Sequence, residues 1–248
     1  MLIRSLLLVV ALQVMGPAAW ANEDLSSKQQ AAVKTIVREY LRQHPEVIVE
    51  ALQEMQARGR TAENRPSRET LAALHDELLN DKSAPIGGNP DGNITIIEFL
   101  DYRCGYCKKM FPGLMATLKS DGNIKYMLRE FPILGPASLF ASKAALAVWQ
   151  TEPGRYMDFH TALMKNTGNL TNSKVIRLAQ NIGLNTNKLR VSMDSPAIEA
   201  VINRNYEIAK VLNISGTPVF IIGGKLVPGA VGVDALKRLV AEARNTRS

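Results

Sequence analysis

The 248-residue chain has only two cysteines, and they stand together in Cys104-Gly105-Tyr106-Cys107. The motif follows the β-branched run Ile94–Leu100 and opens a stretch from Cys104 to Lys119 that reads as a helix, with Pro112 as a kink inside it. A helix N-terminus presents free backbone N–H groups and a partial positive charge. A thiolate placed there is stabilised, so the pKa of Cys104 should fall. On this reading Cys104 is the exposed nucleophile, and Cys107, one turn further in, resolves a mixed disulfide by attacking Cys104. A zinc half-site or a static disulfide are the other uses of such a pair. Zinc asks for about four ligands, and His44, His75 and His160 are not paired at ligand spacing, so no metal is expected. A static bridge over so small a loop stabilises little on the loop-entropy argument. Redox exchange suits the spacing best, with the reversible Cys104–Cys107 disulfide serving in place of a cofactor.

Two further positions bear on that chemistry. Gly216-Thr217-Pro218-Val219-Phe220 lies at a strand entrance, where a Thr-Pro bond is suited to the cis form. Glu98 stands in an otherwise apolar strand, six residues before Cys104. Burying a carboxylate there is costly, so Glu98 either serves the thiols or is an edge-facing or a hydrogen-bonded residue. His160 reads as a helix-surface residue, and the 9 methionines are scattered rather than set in a copper-binding run.

The elements that must hold these groups follow from pattern. The turn-rich stretch Ala84–Asn93 marks entry to the main unit. Strands are expected at Ile94–Leu100 and Ile124–Phe131, a helical region over 137–211, then a hairpin around Gly223-Gly224 and a closing helix Asp234–Ala243. Upstream, Val33, Ile36, Val37, Tyr40 and Leu41 form one helical stripe. Pro45 opens a second helix bearing Ile48, Ala51, Leu52 and Met55. Residues 58–67 read as a hinge, and Ser67 as the cap of a third helix carrying Leu71, Leu74 and Leu78 on one face. Residues 1–21 read as a cleavable secretory signal: Arg4, an apolar run from Ser5 to Leu12, then Ala19-Trp20-Ala21 with cleavage after Ala21. The expected organisation is therefore a signal at 1–21, a helical extension and linker at 22–66, a connecting helix at 67–84 and a catalytic domain at 85–248, with a helical insertion at about 136–211.

FLDYRCGYC followed far downstream by GTPVF resembles the thioredoxin-fold disulfide oxidoreductases of the DsbA type, over about residues 85–246. The resemblance implies an α/β thioredoxin fold with an inserted helical domain, here preceded by the N-terminal helical extension. It implies that Cys104 attacks, that Cys107 resolves, and that Glu98 shuttles a proton for the inner cysteine. It also implies that Thr217 and Pro218 form a cis-proline loop pairing with substrate backbone. IVREYLRQHPEVIVEALQEMQ resembles the N-terminal region of ScsC-type members, a branch linked to copper tolerance. That likeness implies a homotrimer through residues 25–57; the alternative is that the extension packs on its own catalytic domain.

Gly105 and Tyr106, between the cysteines, are the pair seen in the isomerase DsbC, whereas strong oxidants of the family carry Pro-His. The expected couple is therefore less oxidising than DsbA, whose potential is about −120 mV. The function expected is a periplasmic disulfide isomerase or reductase acting on exported clients with disulfides and kept reduced by a membrane partner of DsbD type. A DsbA-like oxidase served by a DsbB-type partner is the alternative in the same chemistry, and a periplasmic copper-binding or holdase protein the alternative of another class. The net charge of +7, spread along the chain, reads as a solubility feature rather than a nucleic-acid footprint.

Overall fold

The computed structural model describes residues 26–44, 47 and 68–246. The expected signal at 1–21, the second helix at 48–55, the hinge at 58–67 and the Ser67 cap lie outside the described residues. The chain divides into two compact units, Met1–Gly59 and Arg60–Ser248.

In the first unit, helix α1 (Ser27–Gln43) begins in a capping box. The Ser26 N–H donates to Gln29 Oε1 at 2.9 Å, and the Gln29 N–H donates to Ser26 Oγ at 3.4 Å. The helix has no buried residue. The stripe expected from the sequence is present, and Val33, Ile36, Val37 and Tyr40 on it are exposed.

The second unit opens with two short helices, α2 (Arg68–Ala73) and α3 (His75–Leu79). The single helix expected here is interrupted at Leu74, so its three leucines are divided between two turns of chain. Five strands form one sheet: β1 (Ile86–Gly88), β2 (Ile94–Leu100), β3 (Ile124–Glu130), β4 (Val219–Ile222) and β5 (Lys225–Pro228), in the order β1-β3-β2-β4-β5. Strand β1 corrects the reading of Ala84–Asn93 as turn alone. Three of its residues pair antiparallel with β3 on the sheet edge, a span too short to show any alternation. Strands β2 and β3 are parallel, so the chain between them must cross over. Helix α4 (Gly105–Asp121) makes that crossover and runs through Pro112. Strands β4 and β5 form the expected hairpin, turned by Gly223 and Gly224 with φ of 56° and 74°, which only glycine adopts without strain.

Between β3 and β4 lies the helical insertion: α5 (Pro136–Thr151), α6 (Tyr156–Lys165), α7 (Asn172–Asn181), α8 (Thr186–Met193) and α9 (Pro196–Val211). Helix α10 (Val233–Asn245) closes the fold. Side chains alternate across a sheet, and both faces of β2 and β3 are buried. Ile94, Ile96 and Leu100 of β2, with Ile124, Tyr126 and Leu128 of β3, join the core built by α4, the insertion and α10. Ile97, Phe99, Met127 and Phe131 join the other core, against Leu78 of α3 and Ile208 and Ala209 of α9.

Arg129 is on that second face and is fully buried. Its Nη1 lies 2.5 Å from Asp81 Oδ2 and 3.3 Å from Asn205 Oδ1, and its Nη2 donates to the carbonyls of Glu77 and Leu78. Burial raises the Asp81 pKa, but hydrogen bonds from Ser83 and the Arg129 charge outweigh it and hold the carboxyl below the usual range. One buried guanidinium thus ties the segment after α3 to the middle of the sheet and to α9. Removing its partner leaves a buried charge uncompensated. Asp81→Ala should cost about 3–5 kcal/mol in urea unfolding, whereas replacement of the exposed ion-pair residue Asp158 should cost well under half of that.

Candidate active site

Strand β2 delivers the chain to the start of α4 through a braced turn. Asp101 Oδ1 accepts from the Arg103 N–H at 2.7 Å and from Ser138 Oγ at 2.8 Å, and its Oδ2 accepts from the Leu134 N–H at 2.9 Å. The Cys104 N–H donates to the Asp101 carbonyl at 3.0 Å. Cys104 is the N-cap of α4, with the extended backbone usual there. Its Sγ accepts from the Cys107 N–H at 3.3 Å, doing with sulfur what a Ser or Asp oxygen does at an ordinary N-cap.

Both cysteines are free thiols. The Cys104 thiol is pulled down to about 6, first by the hydrogen bond from the Cys107 thiol. Burial opposes this, while the Thr217 side chain and the N–H groups of Cys107 and Tyr106 add to it. The Cys107 thiol is pushed up, first by burial, then by its bond to Cys104 and the Glu98 charge. One thiol is acid and the other is not, as an attacking and a resolving cysteine require. The expectation that Cys104 is exposed needs correction. It is only 6% exposed against 1% for Cys107, because the 217–218 loop covers its sulfur.

The loop before β4 supplies that cover. The Thr217–Pro218 peptide bond is cis, and the Thr217 carbonyl oxygen lies 3.2 Å from Cys104 Sγ. Pro218 is buried, while Gly216 and Thr217 are half-buried. Gly105 is exposed, with open space where a side chain would project, and Tyr106 is half-buried.

Glu98 is buried, and the edge-facing alternative does not hold. As an even-numbered residue of β2 it shares the face of Ile96 and Leu100, the side covered by α4. It accepts a short hydrogen bond from Tyr126 Oη. Burial pushes its carboxyl up to about 8 against the lowering effect of Tyr126, and the charges of Cys104 and Glu130 push it further. The seven residues singled out from sequence therefore come together: Glu98 on the α4 face, the four-residue motif at the helix start and the cis-proline loop over it.

Sequence reasoning missed a second buried cluster. Glu130 Oε1 accepts from Tyr102 Oη at 2.8 Å and Tyr156 Oη at 2.9 Å, and its Oε2 accepts from Ser142 Oγ at 2.7 Å. His160 corrects the helix-surface reading: it is fully buried, with Nδ1 3.0 Å from Tyr102 Oη and its ring among Tyr102, Phe111, Tyr126 and Tyr156. Burial takes its pKa down to about 3, so it is neutral. The even spacing of Glu130 from Tyr126 and Leu128 was the available signal. Among the described residues no group of three or more His, Cys, Asp or Glu could hold a metal ion.

An acid cysteine capping a helix, a buried partner thiol and a cis-proline loop over both, on a five-stranded sheet with a helical insertion, define a thioredoxin-fold thiol–disulfide oxidoreductase. The family is shown directly: residues 95–241 match the DSBA-like thioredoxin domain, and the chain belongs to that family. Residues 29–62 match the copper resistance protein ScsC N-terminal domain. A thioredoxin-like oxidoreductase from Silicibacter pomeroyi is 40% identical, with a TM-score of 0.66 over 68% of this chain and 97% of that one. Proteus mirabilis ScsC in a transitional conformation is 30% identical, with a TM-score of 0.68 over 90% of this chain and 100% of that one. Disulfide bond formation protein D of Bacillus subtilis is 24% identical over 169 residues, 64% of this chain and 76% of that protein. The chain spans only 29% of the length of another curated relative, the Na(+)/H(+) antiporter NhaA 3 of Salinispora tropica, 25% identical over 194 residues and 75% of this chain. Among the described residues no helix is long and apolar enough to cross a membrane.

Two outcomes test the electrostatics. Alkylation of reduced protein should titrate at Cys104 with a midpoint near pH 6, Cys107 staying unreactive well past its ordinary range. Glu98 should make the reduced fold weaker as pH rises. Its carboxyl keeps a proton to about 8 when folded but releases it near 4.5 when unfolded, so the folded state holds more protons between those values. The urea-unfolding free energy of Glu98→Gln relative to wild type should therefore rise from pH 5 to pH 8.

Proposed function

We propose that this protein is a periplasmic disulfide isomerase or reductase that reshuffles disulfides in exported proteins. In the reaction Cys104 thiolate attacks one sulfur of a client disulfide, forming Cys104–S–S–client and releasing the other client sulfur as a thiolate. In isomerisation a client thiolate then attacks the mixed disulfide, regenerates the Cys104 thiolate and leaves a different client disulfide, with no net electron transfer. In reduction Cys107 attacks instead. Its proton passes to Glu98, the client leaves with both sulfurs reduced, and the Cys104–Cys107 disulfide must be reduced again by a membrane partner of DsbD type. Thr217 and Pro218 pair with client backbone beside Cys104, and Gly105 leaves room for the client chain.

The observation that carries the isomerase assignment is the Gly105-Tyr106 pair beside a Cys104 thiol near 6. DsbA, a strong oxidant, has its thiol near ~3.5. A less stabilised thiolate gives a less oxidising couple, which suits reshuffling. The exposed stripe Val33, Ile36, Val37 and Tyr40, within the segment that matches the ScsC N-terminal domain, supports trimerisation through residues 25–57. Three sites around one client would raise the effective thiolate concentration. Export through the signal at 1–21 would place the protein where disulfides persist. The copper resistance named for that N-terminal domain supports a role in copper tolerance, with thiol exchange as its chemistry.

The test is recovery of activity from a scrambled multi-disulfide substrate in glutathione buffer. Recovery should require Cys104, be lost in Cys104→Ala, and fall sharply when residues 22–66 are deleted while dithiol oxidation is retained. Rapid oxidation of reduced substrate without unscrambling would make the protein an oxidase. Stoichiometric copper on the reduced thiols without exchange would make it a copper binder.

A further inference from the structure

Glu130 is a second buried carboxyl beneath the thiols, and the sheet places it there. Strand β3 pairs in parallel with β2, with Glu98 opposite Leu128 and Leu100 opposite Glu130. Alternation puts Tyr126, Leu128 and Glu130 on the face of Glu98, while Arg129 faces the other way and is held by Asp81. Two residues of rise and one strand spacing separate the two acids, on the order of 8 Å between Cα atoms. The Arg129 guanidinium is thus turned away from both, and the groups hydrogen-bonded in the Glu130 cluster are neutral hydroxyls and a neutral imidazole. Tyr102 comes from the turn before α4, Ser142 from α5, and Tyr156 and His160 from α6, while Asn205 of α9 donates to the Glu130 carbonyl. The other charges acting on the two acids are Asp101, which raises Glu130, and the Cys104 thiolate, which raises Glu98. Among the described residues His160 Nε2 is buried with no hydrogen-bond partner.

We propose that Glu130 is a positioning residue of the exchange reaction, a second proton-holding carboxyl whose charge sets the basicity with which Glu98 takes the proton of Cys107. Two adjacent carboxylates in an apolar core disfavour each other's ionisation. Three hydroxyl donors favour the charged form of Glu130, and only one favours that of Glu98. Glu130 is accordingly the member that ionises first, and Glu98 keeps its proton while the Cys104 thiolate is present. When Cys104 enters a mixed disulfide its charge is gone, and Glu98 releases its proton to solvent more readily. Cys107–SH then gives its proton to the Glu98 carboxylate, and the Cys107 thiolate attacks Cys104. The Cys104–Cys107 bond forms, the Cys104–client bond breaks and the client sulfur leaves as a thiolate. The negative charge on Glu130 keeps Glu98 basic enough for that transfer. The raised titrations of Glu98, about 8, and Glu130, about 7, follow the same order.

This inference rests on the oxidoreductase reading and is independent of the choice between isomerase and oxidase. The experiment is redox-difference infrared spectroscopy of the carboxyl C=O stretch on the full chain across pH 5 to 9, with the Cys104–Cys107 disulfide followed separately by mass. The expected result is two redox-sensitive carboxyls. Glu98→Gln should remove one. Glu130→Gln should remove the other, move the Glu98 midpoint down by roughly one pH unit, and slow Cys107-dependent release of a client trapped on Cys104 at neutral pH. Tyr156→Phe keeps the acid and removes one donor, so the Glu130 midpoint should rise, which serves where Glu130→Gln fails to fold. A redox-difference spectrum unchanged by Glu130→Gln, or a Glu98 midpoint that neither variant moves, overturns the proposal. Failure to form the Cys104–Cys107 disulfide would instead overturn the oxidoreductase reading beneath it.

Discussion

The site depends on one contact: the sulfur of Cys104 held at the N-terminus of α4 by the Cys107 N–H. An N-cap position requires a side chain that can accept from the next turn of the helix. Here the acceptor is a thiol, and the same bond that starts the helix stabilises the thiolate. The parallel pairing of β2 and β3 makes the arrangement obligatory. A parallel pair needs a crossover helix, and that helix begins where the central strand ends. The reactive group therefore sits at the end of the central strand, and Asp101 fixes the intervening turn through three hydrogen bonds.

Burial of both faces of the sheet has a second consequence. The buried polar residues of β2 and β3 cannot reach solvent on either side, so each needs a partner or a function. Arg129 resolves this structurally, with Asp81, Asn205 and two backbone carbonyls. Glu98 and Glu130 resolve it with neutral hydroxyls, which satisfy the oxygens without neutralising a charge. The face of Arg129 carries a compensated ion pair. The face of the two acids carries carboxyls that burial pushes up to about 8 and about 7. The same alternation that builds two cores thus separates a compensated ion pair from two buried acids with neutral partners.

Much of this was legible in the chain. The only two cysteines, at a spacing of one helical turn after a β-branched run, announced a redox pair at a helix start. The central strands, the hairpin and the insertion followed from pattern because each is a local signal: β-branched runs, paired glycines, helical periodicity. Thr217-Pro218 was readable as a cis site for the same reason. The pieces misread were those whose conformation depends on distant partners. Strand β1 is made by its pairing with β3 rather than by its own Ile-Gly-Gly sequence. His160 looked like one polar residue on an amphipathic helix, and only the packing of α6 against Tyr102, Phe111 and Tyr126 buries it.

The sequence by itself determined which residues are available for the chemistry: two cysteines one helical turn apart at a helix start, since these are fixed by residue type and by short spacing. Tertiary structure alone decided the environment of that chemistry. Glu98 and Glu130 lie in different strands, and their common face follows from strand register, which no spacing along the chain encodes. The near-burial of Cys104 comes from a loop 113 residues away. Proton affinities depend on what surrounds a group in space, so the acid strength of the two thiols and the two carboxyls became visible only once the sheet, the insertion and the cis-proline loop were assembled around them.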